Sequence, residues 1–518
     1  MPAIITEKFR QSNATAFSND ISSSKYYMFV GKSQPWTSEG ATTDSEPPTP
    51  IDSVAPESYY WDDMLASKLI SSKSFVVPRR DWSASNAFDM YRHDIGSVST
   101  GDYDTTKTTS SSGATNLYDS TFYFKTAGHN VYKVLFNGDQ LQTGASAIGG
   151  TEPDVTNAAP FFHEGTGYFL KYMYTMSTSD VQNYLTTDFM PVNSSTQNPA
   201  DSNNIRGVFV FLVTHGGAGY PNGTYYTKLR GDGSNGIAKL FVSSNSITGF
   251  GQTTSNMQTY GSGYSFASLD LSGGNIYTDA TAQTLLNNSF VGGASDGFDG
   301  SNNLLTAWNA VSGNNIARIK PIIDPAGSHG SNDVEELGGH YVMLQSKFEP
   351  ADADATQVND FRRVGIVKDP KVAGGGSAFT ASTARNTNAV LLTGTITTNF
   401  QIDEVITQAS TDAAGRVVEW DATNKILYYV QEKYTSYGLD PSSNLKVFSG
   451  ANAITGSPSG ASYTPSTLTT TVNGVSFTGG YADPEMERDT GEIIYVENRR
   501  AISRASDQTE DIKIVVEF

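Results

Sequence analysis

Residues 485–518 read EMERDTGEIIYVENRRAISRASDQTEDIKIVVEF and hold two apolar runs around a polar centre. Gly491 follows an acidic turn, and the next run, Glu492–Glu497, is rich in the β-branched and aromatic residues that favour strands. Ile512–Phe518 is a second run of this kind. Because an apolar terminus frays unless a sheet holds it, we predict that both runs are strands that close the fold.

Two dense groups of charged residues stand beside apolar sequence. Glu497, Asn498, Arg499 and Arg500 lie between the two C-terminal runs, and a second group (Arg79, Arg80, Asp81, Trp82) follows Val76–Pro78. Adjacent arginines beside an acid and a tryptophan favour bidentate ion pairing and stacking, which lysine provides poorly. A solvated arginine pair is the plainer alternative. We expect a structural ion-pair network whose carboxylate is Glu497 or belongs to an adjoining subunit.

The composition predicts a mainly β protein of several domains. The chain has 518 residues with 49 Gly, 26 Phe and 27 Tyr, and only 17% of its residues are charged. A low charge content with frequent glycines and aromatics is typical of many short strands joined by turns. A chain of this length exceeds the usual size of one domain and can bury substantial cores.

Charge and cysteine content restrict the function classes. The formal net charge of −19 argues against nucleic acid or an anionic membrane surface as the main partner. The absence of cysteine excludes disulfides, thiolate metal sites and cysteine nucleophiles. The first residues carry no apolar signal core, and Val208–Val213 is too short to span a bilayer, so we expect synthesis in a cytosol without membrane insertion.

Two helices are predicted from local patterns. Pro56–Ser71 places Trp61, Met64, Leu65 and Leu69 at three- to four-residue spacing, which indicates one apolar helix face. Thr178–Tyr184 is a shorter candidate that a Ser or Thr side chain would cap.

Two regions of the chain read as inserted β modules. In the first, residues 205–325, Gly217–Tyr220 and Gly261–Tyr264 repeat the pattern Gly-x-Gly-Tyr, which predicts glycine turns with an anchoring tyrosine. The second, residues 390–464, alternates apolar and polar residues, as expected of a small barrel.

A search for chemistry finds no convincing active site. The six histidines show no metal-ligand spacing, and no G-x-S-x-G sequence is present. Glu335 and Glu336 are sequence neighbours, whereas glycosidases need two carboxylates that converge across a cleft. Asp296–Asn302 resembles half of a calcium loop but lacks its spacing and its distant glutamate, so a turn is the favoured interpretation. We therefore expect no enzymatic activity, no cofactor and no metal.

Several ordered segments resemble one known family. They are TGEIIYVENRRAISRASDQTEDIKIVVEF at the C-terminus, GKSQPW (Gly31–Trp36), PPTPIDSV (Pro47–Val54), VVPRRDW (Val76–Trp82) and GTGYFLKYMYTM (Gly165–Met176). These segments are similar to the baseplate wedge subunit of T-even-like contractile-tailed phages, the gene-product-eight family. The similarity covers about the first 200 residues, a middle piece near 333–370 and about the last 35 residues.

The resemblance implies a structural protein of the virion tail. The family is mainly β-sandwich with a few helices, and it forms dimers beside other wedge proteins. We therefore expect a multi-layer β-sandwich core with a few short helices, made from residues 1–204, 326–389 and 465–518, into which the two β modules are inserted. Expected partners are a second copy and other wedge subunits, with no nucleic acid, in the tail baseplate after assembly in the host cytoplasm.

The residues expected to be structural or interface positions, without a catalytic role, are Trp36, Arg79, Arg80, Asp81, Trp82, Glu497, Asn498, Arg499 and Arg500. Two alternatives remain at this stage. The tyrosine-rich module at 205–320 would also suit a receptor- or glycan-binding tail fibre or spike, although no heptads or long repeats are present. A polysaccharide-degrading enzyme is opposed by the lack of a recognisable acid pair.

Overall fold

A computed structural model describes residues 5–36, 47–50, 58–70, 72–84, 86–95, 112–137, 151–157, 159–192, 206–248, 257–272, 275–277, 303–349, 360–432, 438–502 and 508–518. Strands account for 45% and helices for 10% of the structure, so the predicted mainly β fold with a few short helices is confirmed. In these ranges no helix combines the length and apolar character needed to cross a membrane. The Asp296–Asn302 segment lies outside the described residues.

The helices are short apart from the first. They are α1 Glu7–Ser23, α2 Ser58–Asp62, α3 Thr178–Tyr184, α4 Asn303–Ala310 and α5 Asp333–Leu337. The strands are β1 Tyr26–Gly31, β2 Met64–Leu69, β3 Ser72–Pro78, β4 Tyr123–Lys125, β5 Asn130–Phe136, β6 Phe161–His163, β7 Tyr168–Thr175, β8 Phe189–Val192, β9 Val208–His215, β10 Gly223–Gly231, β11 Ser234–Ser243, β12 Ser246–Ile247, β13 Met257–Ser262, β14 Ala267–Leu269, β15 Ile276–Tyr277, β16 Arg318–Ile323, β17 Tyr341–Phe348, β18 Phe361–Lys368, β19 Thr383–Arg385, β20 Asn388–Thr393, β21 Val405–Gln408, β22 Ala413–Asp421, β23 Ile426–Val430, β24 Ile454–Ser457, β25 Ser462–Pro465, β26 Thr470–Val472, β27 Val475–Phe477, β28 Tyr481–Ala482, β29 Glu492–Ile502 and β30 Glu510–Glu517.

The chain forms two compact units. The first comprises residues 1–14, 74–342 and 517–518, and the second comprises residues 15–73 and 343–516. The division predicted from the sequence, a core with two inserted modules, stays a prediction. The predicted helix Thr178–Tyr184 is confirmed, and its cap is Ser177, whose hydroxyl oxygen accepts the Asp180 N–H.

The first unit is built from antiparallel sheets around two apolar cores. One sheet has the order β4-β5-β7-β6, and another has the order β12-β11-β10-β14, with β13 and β15 pairing to β11 and β10. In the sequence β9 precedes the second of these sheets and β16 follows it, and the two strands pair with each other. Phe209, Val210 and Leu212 of β9 join the core that contains Phe124 and Tyr132.

The opposite residues of β9 belong to the second apolar core of this unit. Val208, Phe211 and Val213 pack in the cluster that holds Leu240 and Trp308. The two strands β9 and β16 therefore contribute to both cores rather than to the β10–β15 sheet alone.

The two Gly-x-Gly-Tyr sequences form equivalent loops. Both glycines of each copy have positive φ, with 68° and 92° in the first and 64° and 80° in the second. Tyr220 and Tyr264 are buried, and each hydroxyl oxygen accepts a backbone N–H, from Ala317 at 2.9 Å and from Gly236 at 3.1 Å. Each tyrosine thus anchors its glycine turn, as the sequence pattern suggests.

The second unit contains a five-stranded sheet, ordered β19-β2-β1-β18-β29. Here the predicted helix Pro56–Ser71 is wrong beyond Asp62, because Met64–Leu69 is strand β2 and pairs with β1 and β19. Met64, Leu65 and Ala66 are all buried, which suits a strand covered on both faces better than a helix with one apolar side. Pairing with two neighbouring strands therefore decides the conformation of β2, although its apolar residues are spaced as on one face of a helix.

The other large sheet of the second unit closes into a ring. Its order is β23-β22-β21-β24-β25-β20-β28, and β23 also pairs with β20. The ring encloses an apolar core that includes Val390, Ile406, Val417 and Leu427. The ring therefore has the small-barrel form expected for this part of the sequence. The predicted C-terminal strands are confirmed as β29 and β30.

Candidate interface site

The arginine pair that follows β3 is tied to the first unit by different partners. The Arg79 guanidinium donates to both carboxylate oxygens of Asp81, at 2.8–3.1 Å, and to the Thr186 carbonyl at 2.7 Å. The Lys125 ammonium, which is buried, lies 2.9 Å from the same carboxylate. Partial burial opposes ionisation, but the hydrogen bonds from Arg79 and Lys125 lower the pKa of Asp81. Within the first unit the carboxylate partner of Arg79 is thus Asp81, while the expected pairing with Glu497 or with an adjoining subunit stays a prediction.

Arg80 and Trp82 are fixed by aromatic contacts. The Arg80 guanidinium lies 4.3 Å from the ring centroid of Tyr123 and donates to the Tyr118 carbonyl at 3.0 Å. Trp82 stacks on Phe88 with 5.8 Å between ring centroids and also contacts Phe124. These contacts anchor the segment Arg79–Trp82 on the core of the first unit, while Asp81 remains exposed.

In the second unit, Glu497–Arg500 lies within β29, at one edge of the five-stranded sheet. The Glu497 carboxylate accepts a hydrogen bond from the Tyr495 hydroxyl at 2.9 Å and lies 3.5 Å from the Arg499 Nε. Burial, followed by the bond to Glu497, raises the pKa of Tyr495 to about 12. Arg500 is exposed.

Trp36 belongs with these residues. Its indole Nε1 donates to the Arg499 carbonyl at 3.0 Å, and the guanidinium of Arg363 lies 5.5 Å from its ring centroid. Arg363 also donates from Nε to the Asn498 side-chain oxygen at 3.0 Å, and the Asn498 amide donates to the Pro48 carbonyl at 2.7 Å. The structure therefore brings Trp36, Asn498 and Arg499 together around Arg363.

Beneath this group lies a buried ion pair that sequence reasoning missed. Arg363 Nη1 is 2.6 Å and 2.7 Å from the two carboxylate oxygens of Asp63, and both residues are buried. Nearby, the buried Lys32 ammonium lies 3.4 Å from Glu432. The signal was available in FRRVGIVK, residues 361–368, where two arginines interrupt an otherwise apolar strand and so require buried partners.

A second buried charge group occupies the first unit. Lys133, which is completely buried, lies 2.7 Å from the Glu336 carboxylate and 4.1 Å from the ring centroid of Tyr91. The other oxygen of Glu336 accepts the backbone N–H groups of Gly330 and Ser331 at 2.7 Å and 2.9 Å. Burial opposes ionisation, but Lys133 and His329 hold the pKa of Glu336 at about 2. This glutamate is a structural anion.

The arrangement gives the neighbouring acids Glu335 and Glu336 different environments. Glu335 is about half exposed, whereas the buried Glu336 carboxylate is paired with the Lys133 ammonium. Glu336 lines a cleft of about 310 Å³ together with Tyr91, His93 and Asp324. Among the described residues, no group of three or more His, Asp or Glu side chains is placed to hold a metal ion.

Comparison with known proteins finds similarity to one family over the N-terminal part of the chain. The family described as "Bacteriophage T4, Gp8" matches residues 3–123. The baseplate wedge protein gp8 of Enterobacteria phage T4 is 34% identical over 102 residues, which is 18% of this chain and 30% of that protein. The chain thus aligns with less than a third of its relative. The resemblance to the gene-product-eight family is confirmed by this match, while the similarity suggested for Gly165–Met176 and for the C-terminus stays a prediction.

Proposed function

We propose that this chain is a structural protein of the tail baseplate wedge of a contractile-tailed phage. Its residues 3–123 match the gene-product-eight family. The match with a baseplate wedge protein carries this proposal. The matched range contains Trp36 and the whole segment Arg79–Trp82. Trp36 belongs to the group around Arg363, and Arg79–Trp82 is the segment anchored on the core of the first unit.

We further propose that these groups work as interface supports. The rigid contacts of Arg80, Trp82 and Trp36 hold the neighbouring backbone in place, so that exposed side chains such as Asp81 and Arg500 meet a partner without further ordering. Pre-ordered interfaces lose less conformational entropy on binding. Expected partners are a second copy of the chain and other wedge subunits, in the virion baseplate, after assembly in the host cytoplasm.

The proposal gives the protein no catalytic role. It is supported by relationship to a structural protein and by the divergent environments of Glu335 and Glu336. A glycan array and a polysaccharide hydrolysis assay on the purified chain separate this proposal from the alternatives of a glycan-binding fibre and a hydrolase. The proposal expects neither specific glycan binding nor cleavage.

Co-assembly is the direct experiment. Wedge complexes released from tails of the phage that encodes this chain should contain it together with other wedge proteins after gradient sedimentation. Recovery of the chain only with distal fibres, or only as free protein, would overturn the proposed role.

A further inference from the structure

The first unit carries a groove of about 570 Å³ that none of the expected interface residues lines. Most of its lining comes from two segments, residues 265–271, which include β14, and residues 313–323, which include β16. A concave surface of this size is typical of binding sites. We refer to it as the β14–β16 groove.

The β14–β16 groove exposes large apolar side chains. Phe266 is 62% exposed and Ile316 is 46% exposed, and both line the groove. Leu269, Leu271 and Ile319 continue the apolar lining. Exposed apolar side chains gathered on one concave surface indicate a place where a partner removes them from water.

The charged residues of the groove are basic. They are Arg318 and Lys320, and among the described residues that line the groove none is Asp or Glu. The whole chain has the opposite balance, with 53 acidic and 34 basic residues. The groove is therefore a basic site on an acidic chain, and its charge is complementary to carboxylates of a partner.

The polar donors of the groove are held in place. The Arg318 guanidinium is exposed and forms no ion pair with the described residues, whereas the buried Lys320 ammonium contacts the Asp94 carboxylate. His93 Nδ1 accepts the Ile323 N–H at 3.1 Å. Burial, followed by the charge of Lys320, lowers the pKa of His93 to about 4, so the ring is neutral at pH 7. Its proton is then on Nε2, which can donate to a carboxylate.

We propose that the β14–β16 groove binds an acidic segment of a neighbouring wedge protein, whose carboxylates meet Arg318 and His93 and whose apolar side chains cover Phe266 and Ile316. An extended segment supplies both chemistries, because its side chains alternate between two faces. The inference rests on the proposed baseplate role and adds a surface and the chemistry of its partner. Apart from His93, the residues that line the groove lie outside the range 3–123 that matches the family.

The first test measures binding to wedge complexes from a phage that lacks this chain. Arg318→Glu in the full-length protein should bind these complexes about tenfold more weakly or worse in analytical ultracentrifugation. Arg318→Lys keeps the charge and should bind like the wild type. The control is Lys347→Glu, which makes the same change of charge at an exposed lysine of β17 and should have no effect.

A second variant tests the apolar half of the contact. Phe266→Ser should also weaken binding by about tenfold, because it removes an exposed aromatic anchor. Both altered side chains are exposed, so the melting temperatures of the variants should equal that of the wild type. Higher salt should weaken the wild type and reduce the difference between it and Arg318→Glu, since salt screens the ion pairs.

Photo-cross-linking identifies the occupant of the groove. Benzoylphenylalanine in place of Ser268, an exposed residue of the groove, should cross-link within assembled wedges to an acidic segment of another protein, identified by mass spectrometry. The same group in place of Ser243, an exposed residue of β11 outside the groove, should not reach that segment.

The outcomes separate this inference from the proposed function. Normal binding by both Arg318→Glu and Phe266→Ser would overturn the groove contact and leave the baseplate role in place. Cross-links from Ser268 only within this chain, to a second copy or to a segment without acidic residues would overturn the proposed occupant. A wild-type chain that does not bind the wedge complexes would overturn the baseplate role and the groove contact together.

Discussion

Arg363 and Asp63 are 300 residues apart in the sequence, and their side chains meet in a buried ion pair at 2.6 Å and 2.7 Å. Arg363 also reaches Asn498, so it connects β18 with β29 through a side chain as well as through the sheet. The pair therefore supports β29, the edge strand of the five-stranded sheet that carries Asn498 and Arg499.

Removing one partner of this pair should destabilise the protein strongly. Arg363→Ala leaves the Asp63 carboxylate buried without its ion-pair partner, which costs about 3–5 kcal/mol. Lys446→Ala breaks an exposed pair with Asp412 and should cost about 0–1 kcal/mol. Denaturant unfolding of both variants measures the difference, and equal losses of stability would contradict the structural role of Arg363.

Of the two arginines after β3, Arg80 should contribute more to the stability of the fold than Arg79. Arg80→Ala loses the contact with Tyr123 and the bond to the Tyr118 carbonyl, for which we expect a loss of about 2 kcal/mol. Arg79→Ala should cost about 0–1 kcal/mol, because Asp81 is exposed and keeps Lys125 as a partner. The melting temperatures of the two variants decide the order. A larger effect at Arg79 would show that its pair with Asp81 is worth more than its exposure suggests.

Asp333 should make stability depend on pH. Burial, with a smaller contribution from Glu336, raises the pKa of Asp333 from 3.8 to about 7. Because the folded pKa is raised, the stability associated with this carboxyl is present below pH 3.8 and is lost as the pH rises towards 7. Asp333→Asn should therefore raise the melting temperature clearly at pH 8 and hardly at pH 4.

The neighbouring variant Glu335→Gln is the control for this prediction, since Glu335 lies in the same helix and is about half exposed. It should leave the melting temperature nearly unchanged at both values of pH. An Asp333→Asn effect that is the same at pH 4 and pH 8 would contradict the raised pKa.

The first inserted module should be removable without loss of folding only if the deleted segment is shorter than the module predicted from the sequence. Replacing Ile205–Lys320 by a Gly/Ser linker, as the sequence suggests, removes Phe209 and Leu212 from the main core of the first unit and should give insoluble or molten protein. Replacing residues 216–316 instead keeps the whole of β9 and β16, whose ends His215 and Arg318 are paired, so a short turn can join them.

The shorter deletion needs Phe211→Thr and Val213→Thr, because both side chains face the sheet that is removed. The product should be soluble with a cooperative thermal transition. A molten product from several linker lengths would show that the β10–β15 sheet is required by the rest of the unit.

Local sequence predicted the features that depend on local chemistry. The strand runs at 492–497 and 512–518 and the capped helix Thr178–Tyr184 are present. The helix over Pro56–Ser71 failed because the two neighbours of β2 decide its conformation, and those neighbours come from distant sequence. Arg363 and Lys133 were overlooked for a related reason. Their carboxylate partners, Asp63 and Glu336, are 300 and 203 residues away, and nothing local identifies them.

The central claim is that this chain is a structural component of the tail baseplate. Its most direct test is quantitative mass spectrometry of tails purified from the phage that encodes it, with and without their distal fibres. The account predicts a constant number of copies per baseplate that does not fall when the fibres are removed. Absence from purified tails, or loss in proportion to the fibres, would contradict it.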